Sequence, residues 1–134
     1  MGAPVALLTA AKSAQVKAML AWNGPSDLEL WLDTNPYFQN SIPYGCGRSG
    51  LSQNLPLYYT PDIRVPVLLL HGALDNSVPP GQSRRMWEAL TDAGGKAELI
   101  IVEGAGHRFD GIAWGRVWPR VIEHLEKAFA AGAK

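Results

Sequence analysis

The sequence predicts an α/β fold in three layers, with a short parallel sheet of about three strands flanked by helices. Three observations carry this. The run Val65 to Leu70, VPVLLL, is apolar without interruption, as a strand buried on both faces requires. A second apolar run, Leu99 to Val102, follows after an interval long enough for one helix. Segments with helical spacing lie between and after these runs, the alternation that builds strand–helix–strand crossovers.

In chain order, an alanine-rich helix is expected over about Pro4 to Ala14, then a strand over Ala18 to Trp22. From Asn23 to Pro61 the chain is rich in Pro, Gly, Asn and Ser. It offers one short helix near Ser26 to Leu32, with Ser26 as cap and Glu29 completing a capping box. Residues at about 36 to 61 read as an irregular excursion over the surface, of a length that suits a functional lid. After Leu70 come His71-Gly72 and a turn-rich stretch, ALDNSVPPGQ. A helix over Ser83 to Ala93 then places Met86, Trp87 and Leu90 on one face, and Gly94-Gly95 stops it. The strand Leu99 to Val102 ends in Glu103-Gly104-Ala105-Gly106-His107. A closing amphipathic helix repeats apolar residues at Trp118, Val121, Ile122, Leu125 and Phe129, with Pro119 in its first turn and Glu123 paired with Lys127. Residues 1–134 are read as a single partial domain.

Composition narrows the partners. Twelve basic and twelve acidic residues, with no run of either sign, give no electrostatic footprint for nucleic acid or an anionic membrane. The apolar start is cut by Lys12 and Lys17, which suits neither a secretory leader nor a membrane span. One cysteine, Cys46, excludes an internal disulfide, so the cytoplasm is the expected compartment. No cofactor motif is present, and none is expected to be bound.

Chemistry concentrates at two positions. A right-handed crossover makes the two apolar strands parallel, so the loops after them emerge on one edge of the sheet, where open α/β sheets place their ligand sites. Asp75 lies five residues past Leu70, and His107 five past Val102. A carboxylate beside an imidazole fixes the ring tautomer and stabilises the imidazolium formed when the ring takes a proton from a nucleophile. Each residue also has a plainer use: Asp75 as the Asx-turn residue of Asp-Asn-Ser-Val-Pro, His107 as a loop histidine after Gly-Ala-Gly. His71 is assigned to packing or hydrogen bonding, and His124 to the exposed side of the last helix.

The block VPVLLLHGALDNSVPPGQSRRMWEALTDAGGKAELIIVEGAGHRF resembles the strand–acid–helix–strand–base segment of α/β-hydrolases, especially the prolyl oligopeptidase and dienelactone hydrolase branches. The matching residues are His71-Gly72-Ala73-Leu74-Asp75-Asn76-Ser77-Val78-Pro79 and Gly106-His107-Arg108-Phe109. The likeness covers roughly the last 70 residues. It implies a partial α/β-hydrolase fold, a carboxylic ester or peptide substrate, and Asp75 and His107 as acid and base. Met1 to Leu8 resembles the sequence that follows the serine of Gly-x-Ser-x-Gly, so the chain is expected to begin one residue after the nucleophile.

The sequence contains no Gly-x-Ser-x-Gly. Among its hydroxyls and its thiol, Cys46 and Ser49 stand in the one glycine-flanked cluster, Gly45-Cys46-Gly47-Arg48-Ser49-Gly50, and are the candidate nucleophiles. Two alternatives remain: a catalytically inactive truncated hydrolase or binding fragment, and a metal site built from His71, Asp75 and His107. Without the earlier strands of the family fold, Ala18 to Trp22 forms an exposed sheet edge. A homodimer through that edge is expected.

Overall fold

The structure, a computed structural model, describes residues 2–28, 30–31 and 56–131. Helix α1 (Gly2–Lys12) leads into strand β1 (Met19–Trp22). A 3₁₀ helix at Pro56–Asp62 precedes strand β2 (Val67–Gly72), helix α2 (Gly81–Asp92), strand β3 (Ala97–Val102) and helix α3 (Gly111–Ala131). The strands are parallel, in the order β1-β2-β3. This is the predicted α/β architecture.

Strand β2 is buried at every position, which explains its unbroken apolar sequence. Its alternation sends Val67 and Leu69 toward Leu7 and Ala10 of α1 and Met86 and Leu90 of α2. Leu68 and Leu70 point the other way, toward Val117 and Val121 of α3. The sheet is therefore covered on both faces. Each fully buried leucine contributes about 1.5–3 kcal/mol of transfer free energy.

Several boundaries differ from expectation for identifiable reasons. Strand β2 is shifted by two residues and includes His71 and Gly72, which pair with Ile101 and Val102. Helix α2 begins at Gly81 and ends in paired Schellman bonds, Gly94 N–H to Thr91 O and Gly95 N–H to Leu90 O, with Gly94 at φ 75°. Met86 and Leu90 are buried as expected, but Trp87 sits at the rim, 38% exposed. Helix α3 starts well before Trp118, because the Asp110 carboxylate accepts the Ala113 N–H and caps the first turn. Its inward face is Ala113, Val117, Val121 and Ala128, so Trp118, Ile122 and Phe129 are exposed rather than core. Pro119 is mid-helix on the solvent side, where the Gly115 carbonyl it leaves unpaired can meet water.

The start of the excursion lies outside the described residues, but its end is ordered as the 3₁₀ helix, with Pro56 and Thr60 buried. Ser26 does not cap the short helix that begins at Leu28. Asp27 does, through Leu30 N–H to Asp27 Oδ1. The Glu29 half of the expected box lies outside the described side chains. His124 is half-buried rather than exposed, with Nε2 donating to the Met19 carbonyl across 3.1 Å.

Among the described residues β1 is the outer strand of the sheet. Met19 N–H donates to Pro66 O and Asn23 N–H to Leu70 O, so the intervening Leu20 and Trp22 direct their main-chain groups away from β2. That is the edge at which pairing of two copies is expected. Beside it Trp22 packs on Phe109 and Trp114, with ring centroids 5.3 and 4.8 Å away. No helix among the described residues is long and apolar enough to cross a membrane.

Candidate active site

The register sets the site. Gly72 lies opposite Val102, so both strands end at one level and their loops leave side by side. The loops then hold each other: Ala73 N–H donates to Val102 O and Leu74 N–H to Ala105 O. Gly72 is required at this crossing, since a Cβ there would lie 2.4 Å from the carbonyl oxygens of Ala105 and Gly106. Backbone thus approaches backbone directly beneath the two candidate residues.

Asp75 is 3% exposed. Its Oδ1 accepts from Ser77 N–H at 2.9 Å and Val78 N–H at 2.8 Å. The Asx-turn reading is therefore correct for one oxygen. The other oxygen, Oδ2, is 2.8 Å from His107 Nδ1. Because a carboxylate accepts, the His107 Nδ1 carries the proton and Nε2, on the far side of the ring, keeps a lone pair. The His107 side chain is 44% exposed whereas that of Asp75 is fully buried. The arrangement can orient an imidazole, leave its second nitrogen basic, and stabilise a positive ring if it takes a proton.

His71 supports the acid from below. Its ring is fully buried, with Nε2 at 2.8 Å from Val78 O and 3.4 Å from Asp75 Oδ2, and Nδ1 at 2.6 Å from Ser83 Oγ. Both neighbours of Nε2 are acceptors, so Nε2 is protonated and Nδ1 accepts from the Ser83 hydroxyl. The same His71 bond anchors Val78, whose N–H holds Asp75. Among the described residues no buried side-chain nitrogen or oxygen lacks a partner. The sequence pointed to hydrogen bonding at His71 but not to Ser83, which a helix-start serine reading would assign to capping.

Burial lowers the His71 pKa below its ordinary 6.5, against the opposing effects of the Val78 carbonyl and the Asp75 charge. The native ring stays neutral where the unfolded chain's ring protonates. The unfolded state then binds more protons, so this contribution is complete above pH 6.5 and is lost as pH falls from there toward the lower native value. Each tenfold difference in proton affinity is worth about 1.4 kcal/mol. Thermal melts are expected to drop as pH falls below 6.5, and His71→Asn to flatten that slope. An unchanged slope in the variant would count against this assignment.

Cys46 and Ser49 lie outside the described residues. The metal alternative loses a ligand, because both ring nitrogens of His71 are engaged. Among the described residues no group of three or more His, Cys, Asp or Glu is placed to hold an ion.

Residues 1–114 match the Dienelactone hydrolase family. A relative from Escherichia coli O157:H7, provisionally named a carboxymethylenebutenolidase, is 33% identical over 109 residues, covering 81% of this chain and 34% of the relative. The chain thus spans about a third of the length of such curated relatives. Puromycin hydrolase has the same fold over 96% of this chain and 21% of its own, with a TM-score of 0.86 at 23% identity. A puromycin-hydrolyzing peptidase of Mycobacterium tuberculosis aligns over 77% of this chain and 17% of its own, with a TM-score of 0.69 at 28% identity. With a matching α/β architecture and a family match over most of its length, the chain belongs to the dienelactone hydrolase family, as a partial α/β-hydrolase.

Proposed function

We propose that Asp75 and His107 are the acid–base pair of a hydrolase acting on carboxylic esters or peptides. The observation that carries this is the 2.8 Å bond from Nδ1 of the part-exposed His107 ring to a wholly buried carboxylate, which leaves the opposite ring nitrogen its lone pair. In this reading Nε2 takes the proton of a hydroxyl or thiol nucleophile as it attacks the substrate carbonyl. The protonated ring then gives that proton to the leaving alcohol or amine. Water, deprotonated by the same nitrogen, releases the acyl group as a carboxylic acid. Family membership supports hydrolysis, and the solved neighbours include an esterase and a puromycin-hydrolyzing peptidase.

The experiment is p-nitrophenyl ester turnover by the wild type, Asp75→Asn, His107→Ala, Cys46→Ala and Ser49→Ala. Loss in the first two variants is expected, and loss in either of the last two would identify the nucleophile. Equal background rates in all five would favour an inactive fragment of the fold.

A further inference from the structure

Asn23 is a buried polar residue, 4% exposed, at the end of β1, and the acid–base chemistry gives it no task. Its φ is 47°, and it is the sole non-glycine among the described residues with positive φ. Asparagine tolerates this left-handed conformation better than most residues, and it ends β1 by turning the chain after Trp22. Glycine would do the same at lower cost. The side chain must therefore have a second use.

That use lies across the sheet edge. Strand β1 stops one step short: its last pair is Trp22 with Leu70, so no strand residue faces the Gly72 N–H. Asn23 Oδ1 accepts that N–H at 2.9 Å and extends the ladder with a side chain. The amide nitrogen, fixed on the other side by this choice, donates to His107 O at 2.7 Å and Gly106 O at 3.3 Å. One amide group thus joins the ends of β1 and β2 to the loop after β3, at the residue that carries the candidate base. Ala105 and Gly106, the two residues before His107, already lie so close to Gly72 that a Cβ there would be 2.4 Å from both their carbonyl oxygens, so the amide acts on a tightly packed crossing.

We propose that Asn23 is a positioning residue for His107: it fixes the backbone from which the imidazole reaches Asp75. This rests on the acid–base reading above and extends it to a residue outside the pair. A displacement of about 1 Å that carries His107 away from Asp75 would stretch their 2.8 Å bond out of hydrogen-bond range, and the ring would lose the carboxylate that selects its tautomer.

The test is ¹⁵N NMR of the histidine ring nitrogens at about pH 9, where an ordinary imidazole is neutral. The wild type is expected to show His107 with the proton on Nδ1. Asn23→Gly keeps the positive φ and removes the amide, while Asn23→Asp keeps the acceptor for Gly72 and removes the donor. Both are expected to melt cooperatively and to show His107 relaxed toward a mixture with the proton mainly on Nε2. A wild-type ring signature in either folded variant would overturn the proposal and leave the acid–base pair intact. Failure of both variants to fold would also overturn it, since the role assigned is local. A wild-type His107 protonated on Nε2 would contradict the pair itself, and the role of Asn23 with it.

Discussion

Asp75→Asn is expected to lower kcat/KM for an activated ester by about 10⁴-fold in the hydrolytically competent protein, with little change in fold. The reason is which atom faces which. The Ser77 and Val78 N–H groups hold Oδ1 and will continue to select oxygen at that position in asparagine. The new amide nitrogen must then occupy the place of Oδ2, 2.8 Å from His107 Nδ1. It is a donor, so Nδ1 has to accept, and the ring proton moves to Nε2. The base is then blocked without losing its place. Steady-state kinetics on the purified variant measure this, and a loss under about tenfold would remove Asp75 from the mechanism.

Gly72→Ala is expected to have the largest effect on the fold near the site. The added Cβ would be 2.4 Å from two carbonyl oxygens and 2.8 Å from the Ala105 carbonyl carbon. These are backbone atoms, so no side chain can rotate away. Overpacking of this kind costs about 1–3 kcal/mol or more, and relief requires the loop bearing His107 to move. A displacement of about 1 Å at a catalytic group can cost on the order of 10²-fold in rate, so activity should fall more than stability alone explains. Urea unfolding and ester kinetics on the same sample separate the two effects. Wild-type values in both would show that the crossing is looser than the geometry implies.

Much of this arrangement was legible in the sequence, for physical reasons that can be named. An unbroken apolar run can be satisfied only by burial on both faces, so VPVLLL located the central strand. Parallel pairing forces the two following loops to one edge, which brings Asp75 and His107 together. The strand lies two residues later than the apolar run alone marks it, since hydrophobicity stops at Leu70 while pairing continues through His71 and Gly72. They remain in the ladder because the His71 ring has buried partners on both nitrogens and Gly72 alone fits against Ala105 and Gly106.

Helix α3 was placed late because Gly111 and Gly115 weaken the helical signal, while the Asp110 cap that starts it depends on a single side-chain bond. Its exposed Trp118 and Phe129 counted as core by hydrophobicity although packing turned them outward. Asn23 could not be found from sequence. An Asn-Gly step announces a turn, and nothing local shows that the amide reaches residues more than eighty positions away.

If the Asp75–His107 pair activates a nucleophile, a fluorophosphonate probe will report it. Labelling of the wild type beside His107→Ala, with the modified residue located by peptide mass spectrometry, is expected to show one labelled side chain whose reaction slows by about 10³-fold or more in the variant. Equal labelling of the two proteins, or none in either, would contradict the claim.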